Sequence, residues 1–355
     1  MLVAPVVVLV AIGLVMIFSA SSAYAVALHH DALYFLKRQA LWLALASALA
    51  FLAYRVDYRK LQRIAPLGLA GAVVALVLVL VPHVGTVSNG ASRWIGIGPL
   101  QLEPSEFAKL ALVLYLAAAL VRKGEKIASL TNGVVPLALV SGLLAVLVIK
   151  QPDLGTASLL GFTTATMLFV AGARLIHLFA VVGVAAPPLF VLVRLDHNKW
   201  ARVTAFTDPW RDEQNTGYHI IQSLLALGRG GWHGVGLGFS QQKNFWLPEA
   251  HTDFIAAIVG EELGFVGIAA IVGLFLLFAF RAVRIALHAP DRFGFFLVVG
   301  CTSLIVIQAF VNLGVVSSSW PVTGVPLPFI SFGGSSLCTS LIAVALVANV
   351  ARTRR

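Results

Sequence analysis

Charge is what this chain of 355 residues has least of: Asp, Glu, Lys and Arg make up 11%, against 59% hydrophobic residues. That is too little polar surface to cover a water-soluble globule of this size, so the membrane is the default solvent. Cysteine is nearly absent too. Cys301 and Cys338 stand alone in apolar runs, so a disulfide framework and a zinc site are both excluded. No basic stretch precedes the first apolar run, which therefore reads as a span and not as a signal peptide. Strict alternation of apolar and polar residues is missing, which excludes a β-barrel. No internal repeat is visible, and an inverted-repeat transporter has no support.

What is present is a succession of apolar runs near the ~20 residues that cross a ~30 Å hydrocarbon layer. They fall at 3–24, 36–54, 64–82, 104–121, 132–150, 156–172, 176–194, 253–280, 294–316 and 334–350. The fold class expected is an all-α polytopic membrane protein of about ten transmembrane helices, one integral membrane domain over 1–355. Basic residues outnumber acidic ones, 25 to 15, and they gather on alternate connections. Arg55, Arg59, Lys60 and Arg63, then Arg122, Lys123 and Lys126, then Arg174, then Arg281, Arg284 and Arg292, and finally Arg352, Arg354 and Arg355 mark one side. The other side carries Lys37, Arg38 and Arg93, with Lys150 at a span end. The positive-inside rule then places both termini in the cytoplasm. The net charge of +10 is a topology signal, and no nucleic-acid partner follows from it.

The long hydrophilic connection at about 195–252, between the seventh and eighth spans, is expected outside the cytoplasm and far exceeds an ordinary helix connection. Its aromatic residues, among them Trp200, Trp210, Tyr218, Trp232 and Trp246, argue against disorder. Residues 219–227 could form an interfacial amphipathic helix, followed by a Gly-rich stretch at 228–238. Pro187-Pro188 is expected to kink the seventh span.

Four segments carry chemistry. In the first, Glu103 to Lys109, Glu106 and Lys109 are three residues apart and share a helix face, where they can neutralise each other within the membrane. A plain helix start accounts for Glu103 and Pro104, yet it accounts poorly for a lysine so deep in an apolar helix. In the second, 151–156, Asp153 is either the cap of the next helix or a site residue. In the third, 247–254, Asp253 is either an N-cap or a functional carboxylate, with Glu261 and Glu262 further along the same span. His251 has no partner ligands for a metal. The fourth, 321–336, holds Pro321, Pro326 and Pro328 with Gly324, Gly333 and Gly334. Breaks of that kind are tolerated at membrane depth only against protein or a watery cavity.

Taken in order, Ala91-Ser92-Arg93-Trp94-Ile95, Pro104-Ser105-Glu106-Phe107-Ala108-Lys109, Gln151-Pro152-Asp153-Leu154-Gly155, Asp253-Phe254 with Glu261-Glu262-Leu263-Gly264, and Pro326-Leu327-Pro328-Phe329-Ile330-Ser331 resemble the SEDS family of shape, elongation, division and sporulation proteins, which includes RodA and FtsW. Pro321-Val322-Thr323-Gly324 is similar to the RodA branch. Two positions depart from the pattern: Glu103 stands where the family commonly has Gln, and 317–320 replaces a Gly-Leu-Leu-like stretch. The resemblance implies a peptidoglycan glycosyltransferase of the bacterial cytoplasmic membrane, polymerising lipid II during elongation by inverting transfer to an acceptor 4-hydroxyl. That chemistry needs a base but no enzymic nucleophile, and by matching position the base is Asp253. Positive charge must hold the leaving pyrophosphate. Arg93, Lys109, Arg202, Arg211 and Lys243 are candidates, with Glu106, Asp153 and Ser331 completing the substrate-binding set. A divalent cation such as Mg2+ or Mn2+ would suit the pyrophosphate.

The partners implied, besides membrane lipid and other elongation-complex proteins, include a class B penicillin-binding protein. This chain has no soluble domain with a Ser-x-x-Lys arrangement of its own. A flippase for the same lipid precursor is the rival expectation, since intramembrane charge is equally at home in carriers. A scaffold leaves the buried charges unexplained.

Overall fold

The computed structural model describes residues 2–81, 85–88, 91–97 and 100–353. Arg354 and Arg355, two of the orientation-setting cations, lie outside the described residues. The α-helices are α1 (Val3–His29), α2 (Tyr34–Arg55), α3 (Tyr58–Val79), α4 (Pro104–Lys123), α5 (Val135–Ile149), α6 (Leu154–Val170), α7 (Leu175–Leu195), α8 (His197–Thr207), α9 (Tyr218–Gly230), α10 (Ile255–Leu287), α11 (Arg292–Val316) and α12 (Gly334–Arg352). Among the described residues, nine helices are long and apolar enough to cross a membrane. The tenth expected span is α6, whose 17 residues reach about 25 Å, the short end of the spanning range.

The boundaries differ from the expected ones where charges ride on helix ends. The third span starts at Tyr58 and not at 64, because the Asp57 side chain caps it by accepting the Arg59 amide at 2.9 Å. Arg59, Lys60 and Arg63 are therefore helical, as are Arg281 and Arg284 near the end of α10. Helix α7 runs through Pro187-Pro188, and only Val193 on it is buried.

The chain divides into two compact units, one made of Met1–Ala44, Pro188–Phe278 and Gln308–Gly333, the other of Leu45–Pro187, Ala279–Ile307 and Gly334–Arg355. In the second unit α4 and α12 are both largely enclosed, and α4 is packed by α3, α5, α6 and α12. Small residues allow the close crossings. A Cβ on Gly300 of α11 would lie 2.5 Å from Val113 on α4 and 2.9 Å from the Met167 sulfur on α6. Asp291 receives the Gly294 amide at 2.7 Å and Arg59 Nε at 3.0 Å, tying the start of α11 to the start of α3. Between α3 and α4 the structure adds what the all-α reading did not contain, an antiparallel meander of β1 (Thr86–Ser88), β2 (Ala91–Ile97) and β3 (Leu100–Leu102).

In the first unit the connection between α7 and α10 is largely ordered, holding α8, a 3-10 turn at Pro209–Asp212 and α9. Helix α9 takes the place of the amphipathic segment expected at 219–227. The eighth span, expected as continuous, breaks at Gly264, whose φ is 68° and ψ −166°. An unbroken helix would pair the amides of Phe265 and Val266 with the carbonyls of Glu261 and Glu262. Here Phe265 and Val266 donate instead to the carbonyls of Gly231 and Trp232, at 2.8 and 3.2 Å. The Glu261 and Glu262 carbonyls accept from Val235 and Gly236, at 2.9 and 3.1 Å. The Gly-rich stretch thus supplies a partner to each of these two amides and two carbonyls. Glycine is required on both sides, since a Cβ on Gly264 would sit 2.4 Å from the Gly234 nitrogen and one on Gly230 would sit 1.9 Å from the Gly260 oxygen.

Replacing Gly264 by Ala combines a left-handed φ with that clash, so about 1–3 kcal/mol of stability should be lost. Gly273, on the same helix with nothing within 4 Å of its would-be Cβ, is the control. Thermal unfolding in detergent should fall several degrees for Gly264→Ala and stay level or rise for Gly273→Ala. Equal melting of the two proteins would refute this account of the break.

Candidate active site

In the first unit, Asp253 stands two residues before the first residue of α10, on a turn in which Thr252 and Phe254 both donate to the Glu249 carbonyl. Three consecutive carbonyls of this segment are held from the other side by residues of 312–332. His251 accepts from the Phe332 amide at 2.9 Å, Thr252 from the Ser331 hydroxyl at 2.6 Å, and Asp253 from the Asn312 side-chain amide at 2.8 Å. The Ser331 hydroxyl also accepts the Leu327 amide at 2.8 Å, closing the broken Pro-rich stretch on itself. Gln39 of α2 brackets the same stretch, accepting from Gly333 and donating to the Ser331 carbonyl, each at 3.3 Å. Beneath it lies Gly13 of α1, where a Cβ would meet the Phe329 oxygen at 2.5 Å. Gly324, at φ +70°, faces the carboxylate directly: a Cβ there would lie 3.4 Å from Asp253 Oδ2.

His251 sits among Tyr24, Phe35 and Phe332, its ring centroid 4.5 Å from that of Phe35. Burial pushes its imidazole below the usual pKa against the opposing charge of Glu249, so the ring is neutral at pH 7. Arg202 is exposed on α8. Arg211 lines a cavity of about 320 Å3 with Trp200, Thr204, Asp208 and Asp212.

The carboxylates of Glu261 and Glu262 are fully buried and committed to the loop before them. Glu261 accepts from the Gln241 amide at 3.0 Å, the Gln242 amide at 3.3 Å and the Ser240 hydroxyl, with Arg229 Nε at 3.7 Å. Glu262 accepts from the Ser19 hydroxyl at 2.7 Å and from Lys243 Nζ at 2.9 Å. Lys243 also donates to the Gly238 carbonyl at 2.6 Å, which leaves its ammonium internally neutralised.

In the second unit, Glu106 and Lys109 form the expected pair at 2.8 Å with 2% and 1% of their surfaces exposed. The second Glu106 oxygen accepts from Thr339 of α12 at 3.0 Å. Glu103 accepts from the Ser105 hydroxyl at 2.9 Å, and its amide donates to Ser335 Oγ at 3.0 Å. Its carboxyl is pushed up to about 8, first by burial and then by the charges of Glu106 and Asp153. At pH 7 it is therefore largely protonated, as an isosteric glutamine would be neutral. Asp153 caps α6 by accepting the Thr156 amide at 2.9 Å. Arg93 grips the turn before it, donating to the carbonyls of Gln151, at 2.9 Å, and Pro152.

A model of the FtsW, RodA and SpoVE proteins, described as cell cycle proteins, matches residues 1–355. The chain belongs to this family. A probable peptidoglycan glycosyltransferase FtsW of Geobacter metallireducens is 46% identical over 95% of this chain and 90% of its own length. Stage V sporulation protein E of Bacillus subtilis is 44% identical over 98% and 95%. Among solved structures, a chain of a peptidoglycan synthase complex that coordinates polymerization and crosslinking superposes with a TM-score of 0.81, at 34% identity and over 99% of this chain and 97% of that one. The rod shape determining protein RodA of Thermus thermophilus gives 0.72, at 33% identity and over 99% and 96%. The FtsW/RodA/SpoVE fold is thus present end to end.

Of the residues singled out from sequence, Asp253, Ser331, Lys243 and Arg202 lie in the first unit, and Glu106, Lys109, Asp153 and Arg93 in the second. Asp253 and Ser331 meet across the Thr252 carbonyl, and Glu106 meets Lys109. Asn312, Gln39 and Thr339 were not found from sequence, because a single amide or hydroxyl inside an apolar span carries no spacing signal. Among the described residues no three His, Cys, Asp or Glu side chains converge to hold a metal ion. The donor set does not fit a protein-built divalent cation site, and no step of the mechanism passes through one.

Glu103→Gln tests the neutral state of that carboxyl. A raised acid pKa means that the folded protein binds more protons than the unfolded one between 4.5 and about 8. Wild-type stability therefore falls as pH rises through that window. The variant should melt like wild type near pH 4.5 and increasingly above it up to pH 8. A constant difference across pH would show that Glu103 is not held neutral.

Proposed function

We propose that this chain is a peptidoglycan glycosyltransferase, a single integral membrane domain that polymerises lipid II on the outer side of the bacterial cytoplasmic membrane. The end-to-end match to relatives named as probable peptidoglycan glycosyltransferases carries this reading. The acceptor 4-hydroxyl attacks the anomeric carbon of the donor from the face opposite the pyrophosphate. The new C–O bond forms as the bond to the polyprenyl pyrophosphate breaks, and the leaving group departs with the electron pair. Asp253 takes the hydroxyl proton, and inversion converts the α donor into a β link. Lys109, Arg93 and Arg202 are assigned to the pyrophosphate charge, with Glu106, Asp153 and Ser331 shaping the site. Lys243 is assigned there too, through the loop that its pair with Glu262 fixes.

The transpeptidase partner is a class B penicillin-binding protein, a reading that the likeness to a chain of a polymerising and crosslinking complex supports. Thr323 favours service in cell elongation, beside other elongation-complex proteins. The relatives named FtsW favour septal synthesis as the second reading, and complementation of RodA-depleted against FtsW-depleted cells separates the two.

Asp253→Asn preserves shape and still accepts hydrogen bonds. Polymerisation of lipid II by the purified protein should fall by roughly 10²-fold or more, the scale for a lost general base, with donor binding and the melting temperature retained. A variant that polymerises at the wild-type rate eliminates Asp253 as the base.

Both termini are assigned to the cytoplasm and the connection between α7 and α10 to the outside, on the distribution of Lys and Arg. Gln214 is exposed there, while Cys301 and Cys338 are buried and give a low background. An impermeant maleimide should label Gln214→Cys from outside intact cells. Labelling that needs the cytoplasmic face opened reverses the topology.

A further inference from the structure

We infer that Asn312 is a positioning residue for the Asp253 carboxylate, an inference that rests on Asp253 being the base. Asn312 lies on α11, 1% exposed, in a helix otherwise dominated by apolar side chains. Its Nδ2 donates one proton to the carbonyl of Asp253 and the other to the carbonyl of Val325, both at 2.8 Å. Carbonyl oxygens only accept, so the amide group can stand between them in just one orientation. Its own oxygen has no hydrogen-bond partner among the described residues. The two donated bonds therefore define where this side chain sits.

The two bonds join the backbone segments that face each other across the carboxylate. One ends on Asp253 itself. The other ends on Val325, the neighbour of Gly324, whose open Cβ direction points at Asp253 Oδ2 from 3.4 Å. A single NH2 group thus sets the distance between the carboxylate and the turn opposite it. The Ser331 and Phe332 bonds to Thr252 and His251 fix the preceding residues, the Phe254 amide ties the Asp253–Phe254 peptide to Glu249 within the same turn, and Asn312 ties that peptide to the opposite segment at Val325. A base works when it lies within hydrogen-bond reach of the proton it takes, and a displacement near 1 Å is enough to slow the reaction by about 10²-fold.

The test uses purified full-length protein polymerising lipid II in detergent, with the class B partner present throughout. Asn312→Ala should lower kcat by about 10-fold or more while KM for lipid II stays within about twofold, because donor recognition is left in place. In an Asp253→Asn background the same substitution should cost nothing further, since a residue that acts through the carboxylate has nothing left to position. Asn312→Leu, close in volume and without the donors, gives the same pair of measurements should the alanine protein fail to fold. An unchanged kcat in a folded variant overturns the inference, as does a kcat loss matched by an equal rise in KM. A slow Asp253→Asn protein that is slowed again by the full factor removes the positioning role and leaves the base. An Asp253→Asn protein at the wild-type rate removes the base itself.

Discussion

Every peptide group at membrane depth must find a hydrogen-bond partner within the protein, and the rest of this structure is arranged around the places where a helix fails to supply one. Two such places matter. At Gly264 the eighth span breaks, and residues 231–236 supply four bonds that satisfy the two amides and two carbonyls of the two lost ones. Across 321–333 the chain is not helical at all, and Ser331, Gln39 and Asn312 take over as donors and acceptors. The first break fixes the loop that precedes Asp253. The second builds the wall opposite it. A carboxylate between two such segments is placed by its covalent neighbours and by the hydrogen bonds of the backbone that carries it.

The same solvent governs the charges. A buried cation and a buried anion are tolerated when each has the other and the remaining lone pairs are occupied. Glu106 with Lys109 and Thr339 meets that condition, and so does Glu262 with Lys243 and Ser19. For Glu103, burial and the like charges of Glu106 and Asp153 outweigh the Ser105 hydroxyl and the charge of Lys109, and it resolves the conflict by keeping its proton. The departure of this chain from the glutamine common in the family is therefore smaller in charge than in name.

The all-α polytopic architecture and the Glu106–Lys109 pair were legible in the sequence, because span length and an i, i+3 charge pair are local signals. The amphipathic α9 was legible for the same reason. The β-meander was not, since short strands between two spans are outweighed by the hydropathy on either side. The Gly264 break looked like an ordinary helical glycine, and only the docking of Gly230 and Gly234 gives it a reason. The commitment of Lys243 to Glu262 and the presence of Asn312 beside Asp253 depend on residues 19 and 59 positions apart respectively, a spacing that no periodicity reports. Ser317 to Trp320, which departs from the family pattern, closes α11 with the Ser319 and Trp320 amides both on the Gly314 carbonyl, at 2.7 and 3.0 Å.

The exchange of backbone partners at Gly264 bears on how the protein is made. A helix with two amides and two carbonyls lacking partners is a poor passenger into lipid, because each such group raises the cost of insertion. The segment that satisfies them, residues 231–236, leaves the ribosome before α10 does. When the first half of α10 arrives, its partner segment is already synthesised and separated from it by fewer than thirty residues. A circular permutation that moved 231–243 behind α10 would keep every native contact but reverse that order, leaving the broken helix to wait in the membrane for the peptide groups that complete it.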